Sequence, residues 1–206
     1  MMKVLLINGS PHKKGATNRI LEEVAGVLNK EGIETEIICV GKENISGCLA
    51  CGYCFKNGKC VKGDIVNVVS EKFKEADGLV IGSPVYYASA NGTLISFLDR
   101  LFYSSHFDKS MKVGASVVNC RRGGNASTFD ELNKYFTICN MPVVSSQYWN
   151  ETHGNTVSEV EQDLEGLQTM RTLGRNMAFL IKSIALGKEK YGLPEKEKHE
   201  RTNFIR

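Results

Sequence analysis

Proline and long apolar runs are both scarce in this chain. Four prolines stand against 20 glycines in 206 residues, which excludes proline-rich linkers and collagen-like repeats. No apolar run approaches the ~20 residues of a membrane-spanning helix, so no membrane partner is expected. The opening Met1-Met2-Lys3-Val4-Leu5-Leu6-Ile7-Asn8-Gly9 lacks the apolar length and the small-residue cleavage site of an export signal, and a cytoplasmic protein is expected. An excess of one charge is missing too: 26 Lys and Arg face 23 Asp and Glu, a net charge of +3. With the basic residues scattered, nucleic acid is not an expected partner. No Ser/His/Asp set and no pair of carboxylates stands out, which weakens any hydrolase reading.

What remains is the alternation of strand-like and helix-like segments. Val4-Leu5-Leu6-Ile7 is a continuous apolar run bounded by Asn8-Gly9-Ser10, the pattern of a strand buried on both faces. Ile20, Leu21, Val24, Val27 and Leu28 then recur at helical spacing. Thr35 to Val40, Leu79-Val80-Ile81, Val113 to Val118 and Pro142-Val143-Val144 read as four further strands. Helices are expected around Ile65–Ala76, from about Asn91, around Phe129–Phe136, and from the Thr156-x-x-Glu159 capping box to Leu186. Five strands alternating with five helices predict a doubly wound parallel sheet, because parallel neighbours need helical crossovers. One α/β domain over 1–186 is expected, with a cysteine-rich loop at 47–63. A C-terminal extension at 187–206, rich in mixed charge but carrying Tyr191, Leu193, Phe204 and Ile205, reads as a subunit contact.

Open parallel sheets bind ligands beyond the carboxyl ends of their strands. Three loops there carry chemistry. Gly9 to Asn18 is neither a Walker loop nor G-x-G-x-x-G. It does supply hydroxyls (Ser10, Thr17), an amide (Asn18), cations (His12, Lys13, Lys14) and free N–H groups at a helix N-terminus, which suit a terminal phosphate monoester. Gly82 to Gly92 brings Pro84, Val85, Tyr86, Tyr87 and Ser89 to the same edge, where aromatics would flank a planar ring and small residues would let backbone N–H groups approach it. Asn119 to Asn125 adds Arg121, Arg122 and Gly124; guanidinium groups suit phosphate or a ring carbonyl. Taken singly, each loop also reads as an ordinary turn.

Together, G-S-P-x-x-x-G-x-T-N after the first strand, G-S-P-V-Y-Y before the third long helix, and F-L-D-R-L at Phe97–Leu101 resemble the flavodoxin-like NAD(P)H-dependent FMN reductases. The resemblance covers roughly Lys3 to Leu186. It implies FMN, with its phosphate on Ser10, His12, Thr17 and Asn18. The isoalloxazine would lie along Pro84, Val85, Tyr86, Tyr87 and Ser89, bordered by Asn119, Arg121 and Gly124. NAD(P)H is the implied donor and a quinone or other small molecule the implied acceptor. No side-chain acid or base is needed by such chemistry, and none is assigned.

Four of the seven cysteines fall in Cys48-x2-Cys51-x2-Cys54-x5-Cys60. Three thiolates three residues apart with a fourth close by can wrap a compact iron–sulfur cluster, as the opening of the bacterial ferredoxin run does. The spacing before Cys60, and Val61 after it, depart from that run. A structural zinc, a redox dithiol and a loop of free thiols stay open as alternatives. Among flavodoxin-like families the pattern is similar to that of the iron–sulfur flavoproteins, which implies a [4Fe–4S] cluster beside FMN. Two functions follow as expectations: a flavin reductase, or an electron carrier between ferredoxin-like partners with little nicotinamide turnover. A third is a binding module without flavin. A homo-oligomer, dimer or tetramer, is expected in either redox role.

Overall fold

The computed structural model describes residues 1–205; Arg206, the last residue of the expected extension, lies outside the described residues. Five parallel strands form one sheet: β1 (Lys3–Asn8), β2 (Glu34–Cys39), β3 (Gly78–Tyr86), β5 (Val113–Cys120) and β6 (Glu151–His153), in the order β2-β1-β3-β5-β6. A short β4 (Ser89–Ala90) folds back antiparallel on the end of β3 and brings the count to six rather than five. Without that hairpin the parallel order is the flavodoxin-like one, with the switch between β1 and β3.

Alternation in β1 explains the two layers. Val4 and Leu6 join the core formed with α1 (Ala16–Lys30) and α7 (Leu164–Tyr191). Leu5 and Ile7 join the opposite core, with α3 (Ile65–Glu75), α4 (Gly92–Ser104) and α5 (Asn125–Thr137). All four are fully buried, contributing about 1.5–3 kcal/mol each by removal from water. A strand covered on both faces must be apolar throughout, as this one is. Among the described residues no helix is long and apolar enough to cross a membrane.

Three expected elements differ. β3 does not end at Gly82 but continues to Tyr86, because Ser83 and Pro84 stay in register with Val118 and Asn119. Pro142–Val144 makes only a bridge, Gly114 to Val143, and the fifth strand resumes at Glu151. Between them the Ser146 hydroxyl bonds Tyr148 O and Asn150 Oδ1, at 2.6 and 2.7 Å. That local turn competes with the ladder. The last helix is two helices. Thr156 caps the short α6 (Val157–Val160), then Asp163 accepts from the Gly166 N–H at 2.9 Å and starts α7 afresh. α7 runs past Leu186 to Tyr191 and stops at Gly192, whose φ of +75° a helix does not tolerate. The extension therefore begins after Tyr191, not at 187. One helix unassigned from sequence is also present, α2 (Tyr53–Asn57) within the cysteine loop.

Glu23 ties α1 to α7, accepting from Arg19 at 2.8 Å and Arg171 at 2.7 Å. Burial works to raise its carboxyl pKa, but Arg171 and Arg19 outweigh it and hold the group below the ordinary value. A depressed carboxylate contributes fully above its unfolded pKa, about 4.3, and the contribution is lost as pH falls through the lower folded value. Glu23→Gln is expected to cost about 1 kcal/mol at pH 7, and less at pH 3. Urea denaturation at the two pH values checks this; equal losses would show that the pairing contributes nothing.

Candidate functional site

A cleft of about 540 Å³ opens beyond the carboxyl ends of β1, β3 and β5. Its walls are Ser10, His12 and Lys14–Thr17 from the first loop, Pro84–Tyr86 from the hairpin, Asn119–Arg121 after β5, and Gly154–Val157 before and within α6. A second cavity, about 570 Å³, lies at the opposite end of the sheet between Asp108–Val113 and α7. It contains none of the residues marked by the loops, and the carboxyl edge is where an open parallel sheet binds.

The first loop is built from short-range bonds. Asn8 Oδ1 accepts from Ser10 N at 2.9 Å, Ser10 Oγ from His12 N at 3.1 Å, and His12 O from Gly15 N at 3.0 Å. α1 then starts at Ala16 with no side-chain cap and no acid in its first turn. Its first helical bond is Arg19 N to Gly15 O, 3.0 Å, so the N–H groups of Ala16, Thr17 and Asn18 have no helical acceptor. Elsewhere Asp64, Asn91, Thr156 and Asp163 cap α3, α4, α6 and α7 with their side chains. The two long helices without such a cap are α1 and α5, and of these α1 places its first residues, Ala16 and Thr17, in the cleft wall. Thr17 is buried yet lines the cleft. Asn18 does not line it: its amide accepts from Asn8 at 3.2 Å and donates to Glu22 at 2.6 Å.

The hairpin between β3 and β4 turns through Tyr87 and Ala88, with φ of +52° and +58°. Two left-handed central residues make a type I′ turn, costly for side chains larger than glycine. Packing holds it there. Glu131 on α5 accepts from Ser89 Oγ and Ala90 N, both at 2.8 Å, and Ser127 Oγ donates to Ala88 O at 2.7 Å. Gly124, at φ +92°, lies so close that a Cβ there would stand 2.8 Å from Ala88 Cα. Asn91 donates from Nδ2 to Gly9 O at 2.8 Å and from its backbone N to Ser83 Oγ at 3.1 Å, locking the hairpin to the first loop. Tyr86 borders the cleft, whereas Tyr87 is fully exposed and stands outside it. Ser89 and Gly124 support the wall from behind. Of the two residues that do the holding, Asn91 is marked in the sequence only as a helix start and Glu131 carries no signal there.

Asn119 lines the cleft with its amide committed: it donates to Gly154 O at 2.9 Å and accepts from Thr152 at 2.8 Å, fixing the β6 edge. Arg121 reaches the cleft and Arg122 does not. Beside them Cys120 is buried, and burial pushes its thiol above the ordinary value. Asn155–Val157 also form wall, a role hidden from the sequence because Thr156 reads there as a helix start. These residues suit a phosphorylated, planar ligand: uncapped helix N–H groups and Lys14 for an anion, the Pro84–Tyr86 edge for a ring, Arg121 for ring or phosphate oxygen.

The cysteine loop forms a second site. All seven cysteines are free. Cys48, Cys51, Cys54 and Cys60 line one small pocket together with Arg100 and Tyr103. Gly52 and Gly58, at φ +69° and +67°, turn the chain around the short α2 that carries Cys54. Arg100 on α4 aims Nε and Nη2 at Cys60 Sγ, 3.3 and 3.2 Å. Free space in the pocket is about 20 Å³, room for little more than a water. Among the described residues no group of three or more Cys, His, Asp or Glu is gathered tightly enough to hold a metal ion. The donor chemistry fits an iron–sulfur cluster: four free thiols on one pocket with N–H donors at one sulfur.

Residues 2–156 match the family described as NADPH-dependent FMN reductase. The chain is 34% identical over 191 residues to an iron-sulfur flavoprotein of Methanocaldococcus jannaschii, covering 89% of this chain and 99% of that protein. It is 30% identical over 193 residues to the iron-sulfur flavoprotein of Methanosarcina thermophila, covering 92% and 100%. Among solved structures, RosB with a bound 8-demethyl-8-formylriboflavin-5'-phosphate intermediate superposes with a TM-score of 0.71 at 18% identity, covering 100% of this chain and 94% of RosB.

Proposed function

This chain belongs to the NADPH-dependent FMN reductase family, in its iron–sulfur flavoprotein branch, and from that premise we propose an FMN oxidoreductase that also carries a [4Fe–4S] cluster. It takes electrons from NAD(P)H and delivers them to a quinone or another small acceptor. The observation that carries the flavin reading is the bare N-terminus of α1, which faces the cleft with no side-chain cap and no acid in its first turn. A dianionic phosphate is the ligand that such an end stabilises most.

Ser10, His12, Thr17 and the N–H groups of Ala16–Asn18 would hold the phosphate; Pro84, Val85 and Tyr86 would border the ring. Arg121 would face developing negative charge on the ring. Cys48, Cys51, Cys54 and Cys60 would hold the cluster. When bound, FMN supplies two-electron exchange with a nicotinamide and one-electron exchange with the cluster. The chain's own part is to bind, orient and exclude water, so no side-chain acid or base is assigned. A cytoplasmic setting belongs to the same proposal, since a chain whose cysteines serve a cluster suits a reducing compartment.

The exposed apolar residues on the thiol pocket, Leu49, Val61 and Tyr103, favour a second reading, an electron carrier that meets a ferredoxin-like donor there. Exposed Phe179, Leu186 and Tyr191 on α7, with Phe204 and Ile205 beyond it, support a homo-oligomer, dimer or tetramer. Protein purified without oxygen is expected to show flavin bands over a broad cluster absorbance, to bleach on adding NADPH or NADH, and to scatter light as a mass above 22.8 kDa. Bleaching only by a reduced ferredoxin-like protein selects the carrier. Colourless protein that FMN does not colour overturns both readings, and a mass of one chain overturns the oligomer.

A further inference from the structure

One buried charge takes no part in the flavin cleft. Arg100 sits on α4 with its side chain 1% exposed, on a helix whose other buried residues are mostly apolar. A guanidinium in a core is destabilising unless its charge is paired and its donors are used. Here all five N–H groups have acceptors. Nη1 donates to Asp64 Oδ2 at 2.7 Å and Ser46 O at 3.4 Å; Nη2 donates to Asp64 Oδ1 at 2.9 Å and Cys60 Sγ at 3.2 Å; Nε donates to Cys60 Sγ at 3.3 Å. The acceptors are fixed in turn. Asp64 caps α3 by accepting from Val66 N at 3.2 Å, and the Cys60 backbone exchanges bonds of 2.9 and 3.0 Å with the Asn67 amide.

The geometry points to Arg100 as a positioning residue that fixes Cys60 as the fourth cluster thiolate and raises the cluster's reduction potential. This rests on the reading that the four cysteines hold [4Fe–4S]. Taking up one electron makes the cluster and its four thiolates one unit more negative. N–H groups and positive charge at a ligand sulfur therefore favour the reduced state. Asp64 does not cancel the effect, because its side chain is 31% exposed against 1% for Arg100: water screens the carboxylate far more than the guanidinium. Lysine would keep the charge without the planar fork that reaches carboxylate and sulfur together.

The test compares native protein, Arg100→Lys, and the double variant Arg100→Met/Asp64→Asn. The double variant removes the pair without stranding a charge, and the asparagine side chain that replaces Asp64 is still a good cap for α3. Each is reconstituted anaerobically, and the cluster midpoint is read by EPR during redox titration while the flavin midpoint is read by absorbance. In the double variant the equilibrium constant for one-electron reduction of the cluster is expected to fall at least tenfold, about 59 mV, with FMN content and flavin midpoint unchanged. Arg100→Lys is expected to fall less. A native cluster midpoint in a double variant that carries a full complement of iron overturns the inference and leaves the cluster reading standing. Native protein that gains no acid-labile sulfide overturns the cluster reading and this inference with it.

Discussion

Alanine in place of Cys54 is expected to abolish iron–sulfur assembly while FMN stays bound. Of the four loop cysteines Cys54 is the buried one, 7% exposed, held at the start of α2 between two left-handed glycines. Its carbonyl accepts from Gly58 N at 2.8 Å, which closes the turn towards Cys60. Removing it leaves one iron of a cubane without a protein thiolate, and the two exposed cysteines of the loop, Cys48 and Cys51, have no spare partner to supply. Native protein reconstituted under nitrogen should bind about four irons and four sulfides per chain, and the variant close to none. No residue of the flavin cleft lies between Cys48 and Cys60, so FMN content should not change. Stoichiometric zinc without acid-labile sulfide in the native protein would replace the cluster by a structural metal.

FMN retention should collapse when Gly41 acquires a side chain. Gly41 follows β2, where Val40 N donates to Asn8 O at 2.9 Å, and its Cα faces the first loop. A Cβ there would stand 2.2 Å from Ser10 C and 2.3 Å from Gly9 O and Ser10 O. All three are backbone atoms, so the loop itself must shift and carry Ser10 with it. In Ser10→Ala/Thr17→Ala two hydroxyl donors disappear, and with Ser10 the acceptor of the His12 N–H is lost. Each bond to a charged phosphate is worth about 1.5–3 kcal/mol, so the double variant should bind FMN at least tenfold more weakly. Gly41→Ala, which displaces the loop as a whole, should lose at least as much. Titration of apoprotein with FMN, alongside a thermal melt to confirm folding, checks both. Unchanged affinity in both variants would remove the phosphate from this loop.

Most of the layered architecture was legible in the chain. Val4–Ile7 can be apolar at every position only if both faces of its strand are covered, and the helical spacing of Ile20, Leu21, Val24 and Leu28 makes one such cover. The boundaries that moved did so for reasons outside local pattern. β3 runs on through Ser83 and Pro84 because β5 is there to receive them, and the fifth strand breaks because Ser146 finds Asn150. Asp163 restarts the last helix while also accepting from His153 N at 2.8 Å, a contact with another element.

Residue types and spacing alone determined that this protein has a doubly wound sheet, a phosphate-ready loop, and four cysteines close enough in sequence to share one centre. These are short-range properties, because periodicity, glycine placement and donor chemistry act over a few residues. Tertiary structure decided which members of each loop line the cleft: Tyr86 and not Tyr87, Thr17 and not Asn18, Arg121 and not Arg122. It also decided that Glu131 and Asn91 hold the strained hairpin, and that Arg100, 40 positions along the chain from Cys60, points its fork at that sulfur. Such contacts join residues far apart in sequence and depend on how the helices pack across the sheet, which no local pattern encodes.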